Sequence, residues 1–420
     1  RTWADASAAL AHLCSHQALA SDRDPHLASG GDSSLGIVAD CRIDNRKELA
    51  GELVRFDPSI SVESTDADLI LAGYRKWGVD VAGHLLGDFA FVIWDGTRRR
   101  ILAARDPMAM RPLYVRVEPQ RRALLASEAK QILATSGVPR RINDLALARH
   151  YVNRFEPLDL SFYEGIEVLA PGYSITIEES GSRKWRHWDF DPGHEITYAT
   201  EDEYVEHLRE LVIEAVRART VAEGPIGIFL SGGMDSGTIA GVAGWLASNE
   251  VGALPEIRAY TWDFGDIAES DERHVSRHLI GEFGFAETEV AVAGLGPLAE
   301  YPSHGPDLDT PFLGSFQPTL ERSLEIAAGD GCDLVMSGDR GDLIIGAQIV
   351  SYPKLIRTRS WRQLGRELRR HRTATGEPMS TILLRDLIRP VARRLRHRRP
   401  TAPTSQYPYP PWIQREFAER

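Results

Sequence analysis

The feature that most constrains this chain is the string Ser231-Gly232-Gly233-Met234-Asp235-Ser236, set between an apolar run at residues 225–230 and a helix-periodic stretch at residues 237–247. A buried strand that enters a two-glycine turn and reopens as a helix aims backbone N–H groups at one point, where an anion is stabilised. The hydroxyls of Ser231 and Ser236 add to that cradle, and Leu230 leads into it. No lysine follows the glycines, so this is not a Walker loop. An acid, Asp235, stands at the mouth instead, and an acid beside phosphate oxygens calls for a divalent cation such as Mg²⁺ between them.

Strand and helix patterns alternate around this string. Residues 201–219 carry apolar positions at helical spacing, 257–264 read as a strand, 271–283 as a helix, 321–328 as a helix and 333–337 as a strand. Such alternation predicts a parallel sheet with helices on both faces and ligands beyond the carboxyl ends of its strands. The strand ending at Ser337 runs into Gly338-Asp339-Arg340-Gly341-Asp342, so Asp339 or Asp342 is expected at that same edge as a second metal carboxylate.

The first part of the chain has a different texture. Residues 34–39, 89–94, 100–104, 113–117 and 122–126 read as short strands, with a helix at 67–77 and more β pattern at 163–177, which predicts a mostly β domain. A Pro, Gly, Asp and Thr stretch at 189–200 reads as a linker. We therefore expect an α+β domain over 1–190 and an α/β domain over 200–420. With a net charge of −11 the chain is a poor nucleic-acid binder, and no apolar run reaches the roughly 20 residues of a membrane span. Cys14, Cys41 and Cys332 form no CxxC pair, which fits the reducing cytoplasm and argues against structural zinc. His274 and His278 are four apart on a predicted helix, but no third ligand accompanies them. The arginine-rich stretch at 385–399 reads as an amphipathic helix.

The glycine string, followed about a hundred residues later by the second strand and its acids, resembles the synthetase domain of the asparagine synthetase family. The likeness extends to Leu86-Gly87-Asp88-Phe89-Ala90-Phe91, Ala104-Arg105-Asp106, Arg111-Pro112-Leu113-Tyr114, Ser127-Glu128-Ala129-Lys130 and Leu169-Ala170-Pro171-Gly172. It implies a glutaminase-like, Ntn-type β sandwich followed by a parallel-sheet ATP-pyrophosphatase domain of the adenine nucleotide alpha hydrolase type. It further implies ATP and Mg²⁺ as cofactors, with Leu230, Ser231, Gly232, Gly233, Asp235, Ser236, Ser337 and Gly338 around the phosphates. Asp235 and Asp342 become the catalytic metal carboxylates, and Tyr260 and Trp262 lie in the segment that holds adenosine. Asp271 and Glu272 fit either that segment or the acidic first turn of a helix.

The departures are specific. A working glutaminase of that family has an N-terminal cysteine and an Asn-Gly-Glu segment; here Arg1 stands first and the stretch Asp40-Cys41-Arg42-Ile43-Asp44-Asn45-Arg46 stands where that segment should be, so no ammonia from glutamine is expected. Arg340 and Leu343 replace a glycine and a glutamate of the second motif, and Arg340 either faces pyrophosphate or is a solvated turn residue. The family's synthetase domain continues beyond the equivalent of Arg420, so the second domain is expected to be cut short. Within the family, Asp44-Asn45-Arg46 and the arginine-rich region ending in Tyr-Pro-Tyr-Pro-Pro-Trp look most like the lasso-peptide cyclases. That likeness implies a precursor peptide as substrate, with a leader-peptide-binding protein and a leader peptidase as partners. A β-lactam synthetase, an ammonia-dependent asparagine synthetase and a catalytically dead nucleotide-binding scaffold are the alternatives.

Overall fold

The computed structural model describes residues 2–4, 7–12, 35–118, 122–152, 157–191, 193–194, 196–249, 254–265, 272–296, 309–310, 316–339, 341, 352–357, 359–376 and 378–388. They divide into two compact units, Arg1–Gly338 and Asp339–Glu419.

In the first unit a short antiparallel pair, β1 (Thr2–Ala4) and β2 (Ala9–Ala11), precedes a layered β structure. Five antiparallel strands form one sheet in the order β10 (Gly181–Arg186), β9 (Tyr173–Glu178), β5 (Arg100–Arg105), β4 (Gly87–Asp95), β3 (Leu35–Ile43). A second sheet orders β7 (Arg122–Ala126), β6 (Tyr114–Glu118), β8 (Glu167–Val168). Central β4 is buried along nearly its whole length, and its two-residue period sorts its side chains between two cores. Phe89, Phe91 and Ile93 pack under the helices α1 (Arg46–Leu53) and α2 (Asp66–Trp77). Ala90 and Val92 face Val115 of the second sheet and Leu169, just after β8. Behind that sheet lies α3 (Ala129–Leu133), packed on Tyr114, and then α4 (Asp144–Tyr151). A capping box fixes the start of α2: Thr65 accepts from the Asp68 N–H while Asp68 accepts from the Thr65 N–H.

A second capping box, Thr200 with Glu203, opens α5 (Glu201–Arg219), the helix expected over those residues. Four parallel strands follow in the order β13 (Ala286–Ala291), β12 (Ile257–Asp263), β11 (Ile226–Phe229), β14 (Leu334–Ser337). Helices α6 (Met234–Asn249) and α7 (Arg273–Phe283) connect the first three strands, and α8 (Gln317–Gly329) leads into β14. Ile226, Ile228 and Leu230 pack with α6, while Phe229 and Tyr260 pack with Ala327 of α8 on the opposite face. The strand order reverses at β11, so the ends of β11 and β14 flank the crevice where such sheets take ligands. The expected fold class holds in both halves: an antiparallel β-rich layered domain, then a parallel-sheet domain.

In the second unit, helices Tyr352–Arg357, Trp361–Thr375 and Met379–Ile382, continued by Leu383–Ile388, enclose a small core of Tyr352, Leu364 and Ile382. Most of the stretch 385–399 lies outside the described residues. Among the described residues no helix is long and apolar enough to cross a membrane.

Candidate active site

The loop after β11 is held by its own hydroxyls. Leu230 is buried and its N–H donates to the Tyr260 carbonyl at 2.9 Å, which ties the strand end to β12. The Ser231 N–H donates to Ser236 Oγ at 3.2 Å, the two hydroxyls lie 3.1 Å apart, and Ser236 Oγ donates to the Gly233 carbonyl. Gly233 N–H in turn donates to Ser231 Oγ. Gly232 has φ +92°, a left-handed conformation that glycine adopts without a side-chain penalty, and a Cβ there would stand 2.5 Å from the Glu272 carbonyl oxygen. Helix α6 begins at once, at Met234, three residues earlier than its periodicity predicts, so Asp235 lies in its first turn. There the helix N–H groups lack acceptors in the preceding turn. Asp235 is half-buried and has no hydrogen-bond or ion-pair partner among the described residues. An anion cradle with an unpaired carboxylate beside it suits a metal-bound polyphosphate.

The end of β14 meets this loop directly. Ser337 pairs in register with Phe229, and a Cβ on Gly338 would fall 2.5 Å from the Ser236 nitrogen and 2.9 Å from the Asp235 carbonyl carbon. Ser337 and Gly338 therefore lie against the glycine loop. Asp342 lies outside the described residues, as do Arg340 and Asp271.

The adenosine segment divides. Tyr260 is only 1% exposed; its hydroxyl donates to Asp330 at 3.0 Å and lies 3.2 Å from Cys332 Sγ, both next to the amino end of β14. Burial raises its pKa, and its side chain is a core strut between the sheet and α8, not a ligand contact. Trp262, two residues on, shares that face but sits at the carboxyl end of β12. Its indole N–H donates to Ser323 Oγ at 3.0 Å, and its ring stacks on the exposed Phe316 at 6.4 Å with an interplanar angle of 10°. Phe316 was not singled out by sequence, because a lone aromatic before a helix carries no pattern. Glu272 abuts Gly232 through its backbone, ahead of α7. His274 and His278 are exposed, and no group of three His, Cys, Asp or Glu able to hold a metal occurs among the described residues.

Comparison with known proteins supplies the family. A model described as asparagine synthase matches residues 207–415, and one described as a glutamine amidotransferase domain matches residues 1–188. This chain belongs to the asparagine synthetase family. A putative glutamine-hydrolyzing asparagine synthetase of Mycobacterium tuberculosis (strain ATCC 25618 / H37Rv) is 27% identical over 356 residues, 82% of this chain and 52% of that one. Amidase chry2 of Gibberella zeae is 32% identical over 237 residues, covering 53% and 34%. Glutamine-hydrolyzing asparagine synthetase 3 of Bacillus subtilis is 30% identical over 202 residues, covering 48% and 31%. The matched part of the chain spans 31% to 52% of the length of these relatives.

In the amidotransferase half of this family member, the stretch Asp40–Arg46 runs from the end of β3 to the start of α1, and its Arg42 is locked into an ion-pair ring. Arg42 bonds Asp44 at 3.0 Å and Asp88 at 2.9 Å, and Arg219, from the end of α5, bonds the same two carboxylates at 3.2 and 3.1 Å. Both carboxylates are largely buried. A second tie joins the halves where the Asp309 carboxylate accepts from the backbone N–H groups of Ala129 and Lys130. Arg219→Ala should lower stability by about 1–3 kcal/mol, since it leaves two buried carboxylates sharing one guanidinium. Arg209→Ala, which removes only an exposed pair with Glu206, should cost under about 0.5 kcal/mol, and urea titrations of the two variants check the contrast.

His187 predicts a pH dependence in the same half. Burial pushes its imidazole down to about 4, against a smaller opposing pull from Asp106. Nδ1 lies 2.9 Å from Ser174 Oγ, while Nε2 is buried without a partner among the described residues. The unfolded chain takes up this proton below about pH 6.5 and the folded chain only below about 4, so stability falls as pH drops through that window. We expect unfolding free energy about 2 kcal/mol lower at pH 5 than at pH 7.5, a difference that shrinks in His187→Gln.

Proposed function

We propose that this chain is an ATP-dependent, AMP-forming amide ligase that activates a carboxylate as its acyl-adenylate and passes it to an amine. The observation that carries the reading is the preformed cradle of Ser231, Gly232, Gly233 and Ser236 with the unpartnered Asp235 at its mouth. A carboxylate oxygen attacks the α-phosphorus, the bond from that phosphorus to the bridging oxygen breaks, and pyrophosphate leaves into the cradle. Loop N–H groups and the hydroxyls would hold the pyrophosphate oxygens, and Asp235 would hold the cation that accompanies them. Mg²⁺ supplies positive charge against the leaving group. Trp262 and Phe316 offer a flat face at the strand end for the adenine. The amine nitrogen then attacks the acyl carbon, AMP departs and the nitrogen loses a proton.

The amine, in this proposal, belongs to the substrate. The Asp40–Arg46 stretch lacks the Asn-Gly-Glu of the family's glutaminases, and its Arg42 is held by Asp44 and Asp88, which disfavours ammonia taken from glutamine. Together with the likeness of Asp44-Asn45-Arg46 and the arginine-rich region, this favours a lasso-peptide cyclase, which joins an Asp or Glu side chain of a precursor peptide to that peptide's own N-terminal amine. A leader-peptide-binding protein and a leader peptidase would act before it. The test is incubation with ATP, Mg²⁺ and candidate linear core peptides, read by mass spectrometry for loss of one water. Turnover of a small β-amino acid with no peptide product would move the assignment to β-lactam formation; ATP binding without carboxylate-dependent pyrophosphate exchange would make the chain a scaffold.

A further inference from the structure

The amidotransferase half contains a cavity of about 580 Å³ that neither the adenylation site nor the ion-pair ring uses. It opens between β10 and β8, the facing edges of the two sheets. Its floor is apolar, formed by Val115, Leu169 and Ile175 of the inter-sheet core, and Arg149, Lys184 and Arg186 stand among its lining. The volume falls within the range of ligand sites.

We propose that this slot docks an acidic, extended peptide segment, which adds along β10 and lays apolar side chains into the cavity. Among the described residues β10 pairs only with β9, so its outer edge presents a row of backbone donors and acceptors of the kind an added strand uses. Its sequence, Gly-Ser-Arg-Lys-Trp-Arg, holds three bases and no acid. Basic residues on an edge also deter random pairing; the apolar cavity beside this edge is what such protection does not require. Lys184 reaches across the slot to Glu167, with side chains 34% and 53% exposed. An ion pair that open contributes about 1 kcal/mol or less, so an incoming carboxylate can displace Glu167. Arg186 is steadied by the Tyr173 ring at 5.3 Å and by Asp189, which keeps its guanidinium oriented at low entropic cost.

The same geometry disfavours a nucleic acid. Asp159 and Glu167 in the lining would repel a continuous phosphate backbone, whereas a peptide can space its acids to meet Lys184 and Arg186 alone. Trp185 packs against the core under α1 and α2, so its ring is no stacking platform for bases. This inference does not rest on the ligase reading, since docking and pyrophosphate exchange are read separately.

The test uses the full chain and a fluorescein-labelled, end-blocked peptide in which Glu alternates with Val, followed by fluorescence anisotropy. We expect saturable binding that weakens at least about tenfold in the pair Lys184→Gln and Arg186→Gln. The same loss is expected in Leu158→Glu, which places an acid on the exposed lip of the slot. Variants are compared only where their circular dichroism and melting match the parent chain; these side chains are at the surface. A peptide with Lys in place of Glu should not bind. The proposal fails if the acidic peptide does not bind, if the variants bind it as the parent does, or if the Lys peptide binds equally. It also fails if oligouridine or octanoate occupies the slot while the peptide does not.

Discussion

Asp235→Ala should reduce carboxylate-dependent ATP–pyrophosphate exchange by at least about a thousandfold while leaving the melting temperature within a few degrees of the parent. The two halves of this expectation have separate causes. Asp235 is half-buried in the first turn of α6, packs in none of the hydrophobic clusters, and bonds no described residue, so folding loses only its attraction to the helix N-terminus, about 0.3–1 kcal/mol. Exchange loses more. In the proposed reaction the loop would supply donors to the phosphate oxygens, and Asp235 is the group in it suited to holding a cation against them; without it the pyrophosphate would depart with its charge less neutralised. Asp235→Asn keeps the shape and removes the charge, so it should be as inactive as Asp235→Ala at ordinary Mg²⁺ and recover partly as Mg²⁺ rises. A folded Asp235→Ala protein that exchanges at the parent rate would remove Asp235 from the mechanism.

The loop was legible because its internal hydrogen bonds are local, made by six consecutive residues with a buried strand before them and a helix after them, whereas the backbones of Glu272 and Gly338 that close against it come from distant elements. Where the geometry depended on distant partners, the sequence was silent. Arg219 meets Asp44 and Asp88 across 175 and 131 residues, and no spacing rule links them. Tyr260 and Trp262 looked equivalent because they alternate with the same period on one strand. Register decides otherwise: Tyr260 lies beside Phe229 and reaches back to Asp330, whereas Trp262 stands beyond the last residue of β11. Of the strands that the sequence reading did not mark, β1, β2, β10 and β13, the last two escaped for a related reason. β10 and β13 are edge strands carrying Arg183, Lys184 and Arg186 or Glu287 and Glu289, so neither shows the apolar alternation that marks a strand buried on one face. Their pairing partners, β9 and β12, were recognisable; the edges exist because those partners had open sides.

Gly338→Ala tests whether the crossing of β14 and α6 sets the site, and the expected loss of exchange is about a hundredfold. The added Cβ would lie 2.5 Å from the Ser236 nitrogen, 2.9 Å from the Asp235 carbonyl carbon and 2.9 Å from the Ser236 Cα. All three are backbone atoms, so no side-chain rotation relieves the clash, and α6 and the end of β14 must separate. A movement of roughly 1 Å suffices sterically, and it falls on Asp235 and on Ser236, whose hydroxyl holds the phosphate loop together, where misplacement of that size costs about a hundredfold in rate. Stability should fall as well, by about 1–3 kcal/mol, the usual cost of overpacking. Gly329→Ala is the matched control: Gly329 closes α8, a Cβ there meets nothing within 4 Å, and alanine in a helix is favoured over glycine by about 0.5–1 kcal/mol. Exchange should therefore survive in Gly329→Ala and fail in Gly338→Ala. If Gly338→Ala retains parent-level exchange at a temperature where it is fully folded, the end of β14 does not position the phosphate loop, and Ser337 and Gly338 leave the site.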